Sequence, residues 1–396
     1  MEFRRLKSAR LKGKTALVRV DFNVPRHKDG SITDDTRIRA ALPTIELLQK
    51  KGAKIVLMSH FGRPKGKFDE ALSLRFIVPA LVELLDQPVN FSPVLNRNIL
   101  DVMEPGDVTL LENTRFHAGE TKNDEALAKD FADFGDIFVM DAFSAAHRAH
   151  ASSVGVATHL KAYAGLAMER ELDHIASALD HPDTPVMAIV GGAKVSTKID
   201  LLENLVSKLD TLVIGGGMAN TFLFAQGHKV GASLCEKDLK DKALDILKAA
   251  KKAKCKIILP KDVVAAKEFK AKADSRVCGL DGVKTKEMIL DAGPDTVSAI
   301  LDAMEKAKTL IWNGPLGAFE LTPFDTSTVE CAKYAAKLCK SGKIISVAGG
   351  GDTVAALALA DVVDDFTFVS TAGGAFLEWM EGKPLPGVDI LKTDKA

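Results

Sequence analysis

Short apolar runs rich in β-branched residues alternate with amphipathic helical patterns along almost the whole chain. That alternation leaves few folds open. In the first half the strand-like runs are TALVRVDF (15–22), AKIVLMSH (53–60), DVTLLENTRF (107–116) and DIFVMDAF (136–143). Between them lie ALPTIELLQKKG (41–52), LRFIVPALVELLD (74–86) and NDEALAKDFADFG (123–135), with apolar residues three and four apart. The second half repeats the scheme: PVMAIVGG (185–192), TLVIGGG (211–217), KIILP (256–260), TLIWNGP (309–315), KIISVAGG (343–350) and FTFVST (366–371) alternate with helical stretches. Near-continuous apolar strands separated by helices predict parallel sheets covered on both faces. At 396 residues, with 46% hydrophobic composition, the chain is long enough for two cores. The expected fold is α/β, with two doubly wound, Rossmann-like parallel-sheet domains joined by a helical hinge. The expected boundary lies near residue 170, the second domain runs over 171–380, and the polar DHPDTPV (180–186) follows the linking helix.

Composition excludes several function classes. Lys and Arg (53) balance Asp and Glu (53), which argues against nucleic acid or an anionic membrane as the main partner. No apolar run is long enough to span a bilayer, and the first residues lack the apolar segment of a signal peptide. The five cysteines show no CxxC and no regular spacing, the usage of reduced thiols in a cytosolic protein.

In open α/β sheets ligands bind beyond the carboxyl ends of the strands. That rule selects Asp21, Asn23, His60, Arg63, Arg115, Asp141, Gly191–Lys194, Gly215–Gly217, Asn313 and Gly349–Asp352. In the first half, Arg37, His60, Arg63, Arg115, His147 and Arg148 follow different strands or turns, and convergence would make a site for a small, multiply charged anion. Asp21 and Asn23 add groups for sugar-acid hydroxyls. His147 and His150 have the i, i+3 spacing of a helical metal pair, but Arg148 between them disfavours a cation and no companion ligand cluster is evident.

In the second half IVGGAKVSTKID (189–200) follows a strand and opens a helix. Lys194 and Lys198, four apart, would share one helical face at its start and could bind polyphosphate. Gly215–Gly217 and WNGPLGAFE (312–320) suggest a floor for a flat base, with Glu320 available for ribose hydroxyls. GGGDT (349–353) offers helix-start N–H groups, the Thr353 hydroxyl, and Asp352 as a hard oxygen ligand for Mg²⁺ or, alternatively, as a plain N-cap. GxGxxG fails at both triple-glycine segments, and GKT (13–15) precedes a strand without the earlier glycine. A nicotinamide dehydrogenase or a P-loop enzyme thereby loses its main support.

RVDFNVP (19–25), SHFGRP (59–64), LENTRFH (111–117), DAFSAAHRAHAS (141–152), GGAKVSTKI (191–199), GGGMANTF (215–222), WNGPLGAFE (312–320), GGGDT (349–353) and LPGVD (385–389) together resemble phosphoglycerate kinase, in the family's order and over nearly the whole chain. The resemblance implies reversible phosphoryl transfer from 1,3-bisphosphoglycerate to MgADP, giving 3-phosphoglycerate and MgATP, by hinge closure and charge neutralisation. It implies a glycerate-binding N-terminal domain, a nucleotide-binding C-terminal domain, a chain end (about 380–396) that packs back on the former, and a monomeric cytoplasmic enzyme. On the glycerate side it places Asp21, Asn23, Arg37, His60, Phe61, Gly62, Arg63, Arg115 and Arg148. On the nucleotide side it places Gly192, Lys194, Lys198, Gly215, Gly216, Gly217, Asn313, Glu320, Gly350, Gly351, Asp352 and Thr353. Gly192, Gly215–Gly217 and Asn313 would flank the adenine, Glu320 would hold the ribose, Asp352 the Mg²⁺, and Arg37 and Lys198 would neutralise the transferring group. Gly373 and Gly374 belong to the loop facing the transition state.

The chain departs from the family in three places. STAGGAF (370–376) stands for STGGGAS, and a positive φ at Ala372 would cost about 1 kcal/mol of strain. FSAAHR (143–148) stands for FGTAHR and unsettles one hydroxyl contact. LPKDVV (259–264) would put Lys261 near the nucleotide. The first departure motivates an alternative, a catalytically weakened binding or moonlighting protein on the same scaffold.

Overall fold

The computed structural model describes residues 2–179 and 181–393. The chain divides into two compact units. One runs to Asp173 and is rejoined by the segment from Pro384; the other is His174–Lys383. Both boundaries fall slightly beyond the expected ones. Asp180 and residues 394–396, the end of the returning segment, lie outside the described residues.

The first unit holds a six-stranded, all-parallel sheet of β1 (Thr15–Arg19), β2 (Lys54–Met58), β3 (Val89–Ser92), β4 (Val108–Leu111), β5 (Ile137–Met140) and β6 (Ala162–Ala164), in the order β3-β4-β2-β1-β5-β6. Helices α1 (Thr36–Lys50), α2 (Val78–Leu85), α3 (Ile99–Val102) and α4 (Glu125–Ala132) lie between the strands in sequence, and α5 (Leu166–Leu179) carries the boundary. β1, β4 and β5 are buried along their whole length, and β2 along all but Lys54, which is why they read as near-continuous apolar runs. Val18, Ile55 and Leu57 pack with Ile45 and Leu48 of α1 in one core. Asp141 is spent on structure: its Oδ1 accepts the Ala167 and Met168 N–H groups at 2.9 and 3.1 Å and so caps α5.

The second unit holds a parallel sheet of β7 (Val186–Val190), β8 (Thr211–Ile214), β9 (Lys256–Ile258), β13 (Thr309–Asn313), β14 (Ile345–Gly349) and β15 (Phe368–Ser370), in the order β15-β14-β13-β7-β8-β9. The chain winds outward from β7 through β9, then from β13 through β15 on the other side, so the switch point lies between β7 and β13. A separate antiparallel sheet of β10 (Asp262–Ala266), β11 (Ser275–Gly279) and β12 (Met288–Ala292), absent from the sequence reading, stands beside it in the chain order. The helices are α6 (Ile199–Leu205), α7 (Gly216–Ala225), α8 (Lys240–Ala253), α9 (Pro294–Met304), α10 (Thr326–Lys340), α11 (Gly351–Leu359) and α12 (Gly374–Met380). Ile189, Leu310 and Trp312 meet Ile300 and Met304 of α9 and Ala332 and Ala335 of α10 in its core. A last short helix, α13 (Pro386–Asp389), belongs to the first unit, where the Gly387 N–H donates to the Ala146 carbonyl at 2.8 Å. No described helix is long and apolar enough to cross a membrane.

Candidate active site

In the first unit the loops after β1, β2, β4 and β5 meet at the carboxyl edge. The Arg37 guanidinium lies 2.9 Å from Asp21 Oδ2 and donates to the Asn23 carbonyl at 3.0 Å. Asn23 Oδ1 accepts the Gly62 N–H at 3.0 Å, and Arg115 donates to the Gly62 carbonyl at 2.7 Å. Ser144, at one departure from the family motif, donates its hydroxyl to Asp21 Oδ2 at 2.5 Å, so Asp21 keeps a hydroxyl partner. Arg63 and Arg148 are exposed at the rim. Phe61 differs from the expectation of a ligand contact: its ring is buried, 4.9 Å from Phe76, and only its backbone faces the loop network.

Sequence reasoning missed Arg19. It ends β1 on the inward side and is 1% exposed. It donates to Ser152 Oγ at 3.0 Å and to His60 Nδ1 at 2.9 Å. A guanidinium can only donate, so Nδ1 accepts and the His60 proton sits on Nε2. Burial, with Arg19 and Arg115 next in weight, holds the His60 imidazole well below its usual range, so it is a neutral Nε2–H donor. Burial, then the like charges of Arg19, Arg148 and Arg63, also disfavour charge on Arg115, whose buried Nε has no partner. Within the unit, buried Glu120 opposes these cations at Arg19 and Arg115, and Asp21 pairs with Arg37. The only nearby signal in the sequence was an arginine inside an apolar strand, which reads equally well as an edge residue.

The i, i+3 histidines are not a helical pair: the chain turns at 146–148 and is irregular at 149–150, and buried His150 lies 3.9 Å from the buried carboxylate of Glu120. Among the described residues no group of three or more His, Cys, Asp or Glu could hold a metal ion.

In the second unit the carboxyl ends of β7, β13 and β14 enclose a cavity of about 340 Å³, whose lining includes Gly192, Lys194, Lys198, Asn313 and the segment Gly350–Thr353. It opens at the topological switch point, where the alternating-sheet rule places a ligand. An adjoining, more apolar cavity of about 300 Å³ is lined by Gly216, Gly217, Met288, Leu316, Phe319 and Glu320. Gly192 and Asp352 border both. Gly216 (φ +66°) must be glycine, because a Cβ there would stand 2.7 Å from the Gly192 carbonyl oxygen.

Several expected roles change. Lys194 and Lys198 do not share a helical face. They flank a single 3₁₀ turn (Val195–Thr197), and Lys198 is the N-cap of α6, yet both reach the same cavity. Asn313 belongs with Lys198 in the charged cavity and not beside the apolar one: it accepts from Lys198 Nζ through Oδ1 and donates to the Gly349 carbonyl at 2.7 Å. Gly215 lines neither cavity and sits behind, against Leu316. The Thr353 hydroxyl is engaged, donating to the Gly349 carbonyl at 2.8 Å and accepting the Gly314 N–H at 2.7 Å. Asp352 is not an N-cap: Gly350 (φ +98°) holds that position and Asp352 is in the first turn of α11. Lys261 lines a different cavity with Val186, Thr211 and Lys256, at the amino ends of β7, β8 and β9. Ala372 is not at positive φ; Gly373 (φ +50°) is, so the predicted strain is absent. Gly374 begins α12.

Lys198 is half-buried, and burial pulls its ammonium down to about 8 against the opposing pull of Asp352 and Glu381. The N–H groups of Gly351, Asp352 and Thr353 precede the first bond of α11, from Val354 N–H to the Gly350 carbonyl at 3.0 Å. A half-buried cation and a helix start with open donors suit a phosphate chain. The neighbouring apolar slot, with Glu320 exposed at its edge, suits a base and its sugar.

The family model described as phosphoglycerate kinase matches residues 6–383. A phosphoglycerate kinase of Caulobacter sp. (strain K31) is 60% identical over 397 residues, covering 99% of this chain and 100% of the relative. That of Sinorhizobium fredii is 60% identical over 387 residues, 97% of each chain. Among solved structures, phosphoglycerate kinase from Coxiella burnetii superposes with a TM-score of 0.93 at 43% identity, covering 98% of this chain and 99% of that one. The Pyrococcus horikoshii enzyme does so with a TM-score of 0.76 at 31% identity. Matching along almost its full length in sequence and in fold, the chain belongs to the phosphoglycerate kinase family.

Proposed function

We propose that the two units divide the family's reaction between them. The chain is an enzyme of reversible phosphoryl transfer between 1,3-bisphosphoglycerate and ADP, a glycolytic step. The first unit's arginine edge takes the glycerate: Arg37, Arg63, Arg115 and Arg148 meet its charged ends, and Asp21, Asn23 and the His60 Nε2–H meet its hydroxyl and carboxyl region. The second unit takes the nucleotide. Lys194, Lys198 and the N–H groups of Gly351, Asp352 and Thr353 hold phosphates. The slot between Gly216–Gly217 and Leu316 takes the base, and Glu320 the ribose.

The observation that carries this reading is Lys198, held at the cavity by Asn313, with burial lowering its basicity against the pull of Asp352 and Glu381. Phosphoryl transfer needs in-line placement and charge neutralisation, and the acyl phosphate's carboxylate leaves without a strong base. Lys198 and Arg37 supply the neutralising cations, with the backbone donors of α11. Donor and acceptor are held by separate units, so transfer requires the units to bring them together and exclude water. Asp352 stands alone as a carboxylate at the cavity, which fits Mg²⁺ arriving with the nucleotide better than a protein-only cage. The ion, when bound, neutralises phosphate charge. Both sites are complete within one chain, which supports a monomer. All five cysteines are free, which supports a reducing cytoplasm.

The weakened-catalysis alternative loses its motive, because Ala372 carries no backbone strain and Phe376 is well packed. A coupled assay of ATP formation from 1,3-bisphosphoglycerate tests the proposal. Robust turnover is expected, and no turnover above a Lys198→Ala control would sink it. Asp352→Asn should raise the Mg²⁺ concentration needed for half-maximal rate about tenfold; an unchanged requirement removes Asp352 from the metal.

A further inference from the structure

We infer that Phe376 is a positioning residue for the phosphate-facing loop 349–352, through which α12 sets the spacing between that loop and Lys198. The inference rests on the nucleotide reading above and deepens it.

A loop of three glycines has no side chains with which to hold itself, and its backbone freedom opposes a fixed set of donors. Besides the pairing of Gly349 with Ser370 of β15, two side-chain contacts hold this one. Asn313 Nδ2 donates to the Gly349 carbonyl, and its Oδ1 takes Lys198 Nζ, so one amide joins loop and lysine. The other contact is the Phe376 ring, which is 1% exposed and lies flush against Gly349. A Cβ added to Gly349 would stand 2.6 Å from Phe376 Cε1 and 2.9 Å from Cγ. No room is left for the end of β14 to shift toward α12.

The far end of α12 is braced on the element that follows Lys198. Asn204 of α6 donates to the Met380 carbonyl at 2.5 Å. Lys383 lies 2.8 Å from Asp200 of α6 and 2.8 Å from Glu381. Leu377, one residue beyond the ring, lines the cavity itself. The helix therefore runs from Gly349, which Phe376 meets, to α6, the helix that follows Lys198, which Asn204 ties to Met380. Fixed walls keep the α11 N–H groups at a set distance from Lys198 before nucleotide binds, which spares the ordering cost at binding.

The test is MgADP affinity by calorimetry, together with the KM for each substrate and the melting temperature, in four variants: Phe376→Ala, Phe376→Leu, Gly349→Ala and the Gly349→Ala/Phe376→Ala double. Phe376→Ala should weaken MgADP binding and raise the nucleotide KM about tenfold while moving the 3-phosphoglycerate KM less than about twofold. Phe376→Leu should recover most of that loss. Gly349→Ala, which drives a methyl into the ring, should bind MgADP more weakly still. Removing the ring as well should restore affinity above the Gly349→Ala level, because the two changes meet at one contact. Unchanged MgADP affinity in folded Phe376→Ala, equal shifts in both KM values, or a double variant no tighter than Gly349→Ala would each overturn the inference. If Phe376→Ala does not fold, the leucine variant and the Gly349 pair decide it. Wild-type protein that fails to bind MgADP at all would instead remove the nucleotide reading beneath it.

Discussion

The two half-sites solve the same electrostatic problem by different means. At the first unit's edge the work is done by side chains held from behind: buried Arg19 fixes His60, and Gly62 is clamped between Asn23 and Arg115. At the second unit's edge it is done largely by backbone: glycine turns, the open start of α11 and one lysine on the floor. The difference follows the proposed ligands. A short acid with charges at both ends is best met by guanidinium forks, which pair with carboxylate and phosphate. A phosphate chain attached to a flat base needs close approach along its length, which only backbone without Cβ atoms allows.

That comparison can be broken at several points. The largest effect should come from Lys198→Ala. It removes the half-buried cation of the second unit's charged cavity and should lower kcat on the order of 10³-fold, read in the coupled assay with a melting curve to show that the fold persists. Arg37→Ala should lower kcat about 10²-fold and raise the KM for 3-phosphoglycerate, leaving MgADP affinity alone. Nucleotide affinity that falls with it would erase the division of labour between the units. Gly350→Ala tests whether backbone carries the second site. A residue other than glycine at φ +98° is strained, and its Cβ would stand 2.8 Å from Asn313 Nδ2, so nucleotide KM should rise about tenfold. The smallest effect is in pH. Lys198 in the free protein loses its proton near 8, whereas bound phosphate restores its basicity, so MgADP binding takes up a proton and weakens as pH rises from 7.5 to 9. His60 is already neutral below its usual range, so 3-phosphoglycerate affinity should show no histidine step between about pH 6.5 and 8. Calorimetry across both windows separates the two half-sites.

Much of this layout was legible before folding was considered. A parallel strand buried on both faces must be a continuous apolar run, and its ligand loop must follow it, so Asp21, His60, Arg115, Gly192, Asn313 and Gly350 could be found by position alone. The antiparallel sheet escaped because β11 alternates exposed and half-exposed residues and packs too little to leave an apolar run. β3 and β6 are short edge strands with the same weakness. Lys194 and Lys198 have the four-residue spacing of one helical face, yet the helix begins only after Lys198, and spacing says nothing about where a helix starts. Ala372 stands where the family motif has glycine, but the positive φ falls one residue later, on Gly373.

The sequence by itself therefore determined the two parallel-sheet units, which strand ends carry chemistry, and the chemical class of each half-site, since these follow from local periodicity and residue type. Only the tertiary structure decided that Arg19 sets the His60 proton, that Asn313 holds Lys198 in the charged cavity, that the Thr353 hydroxyl is already engaged, and that Phe376 rests on Gly349. Those facts depend on distances between residues far apart in the chain, and a buried charge or a packed ring takes its meaning from whatever the fold brings against it.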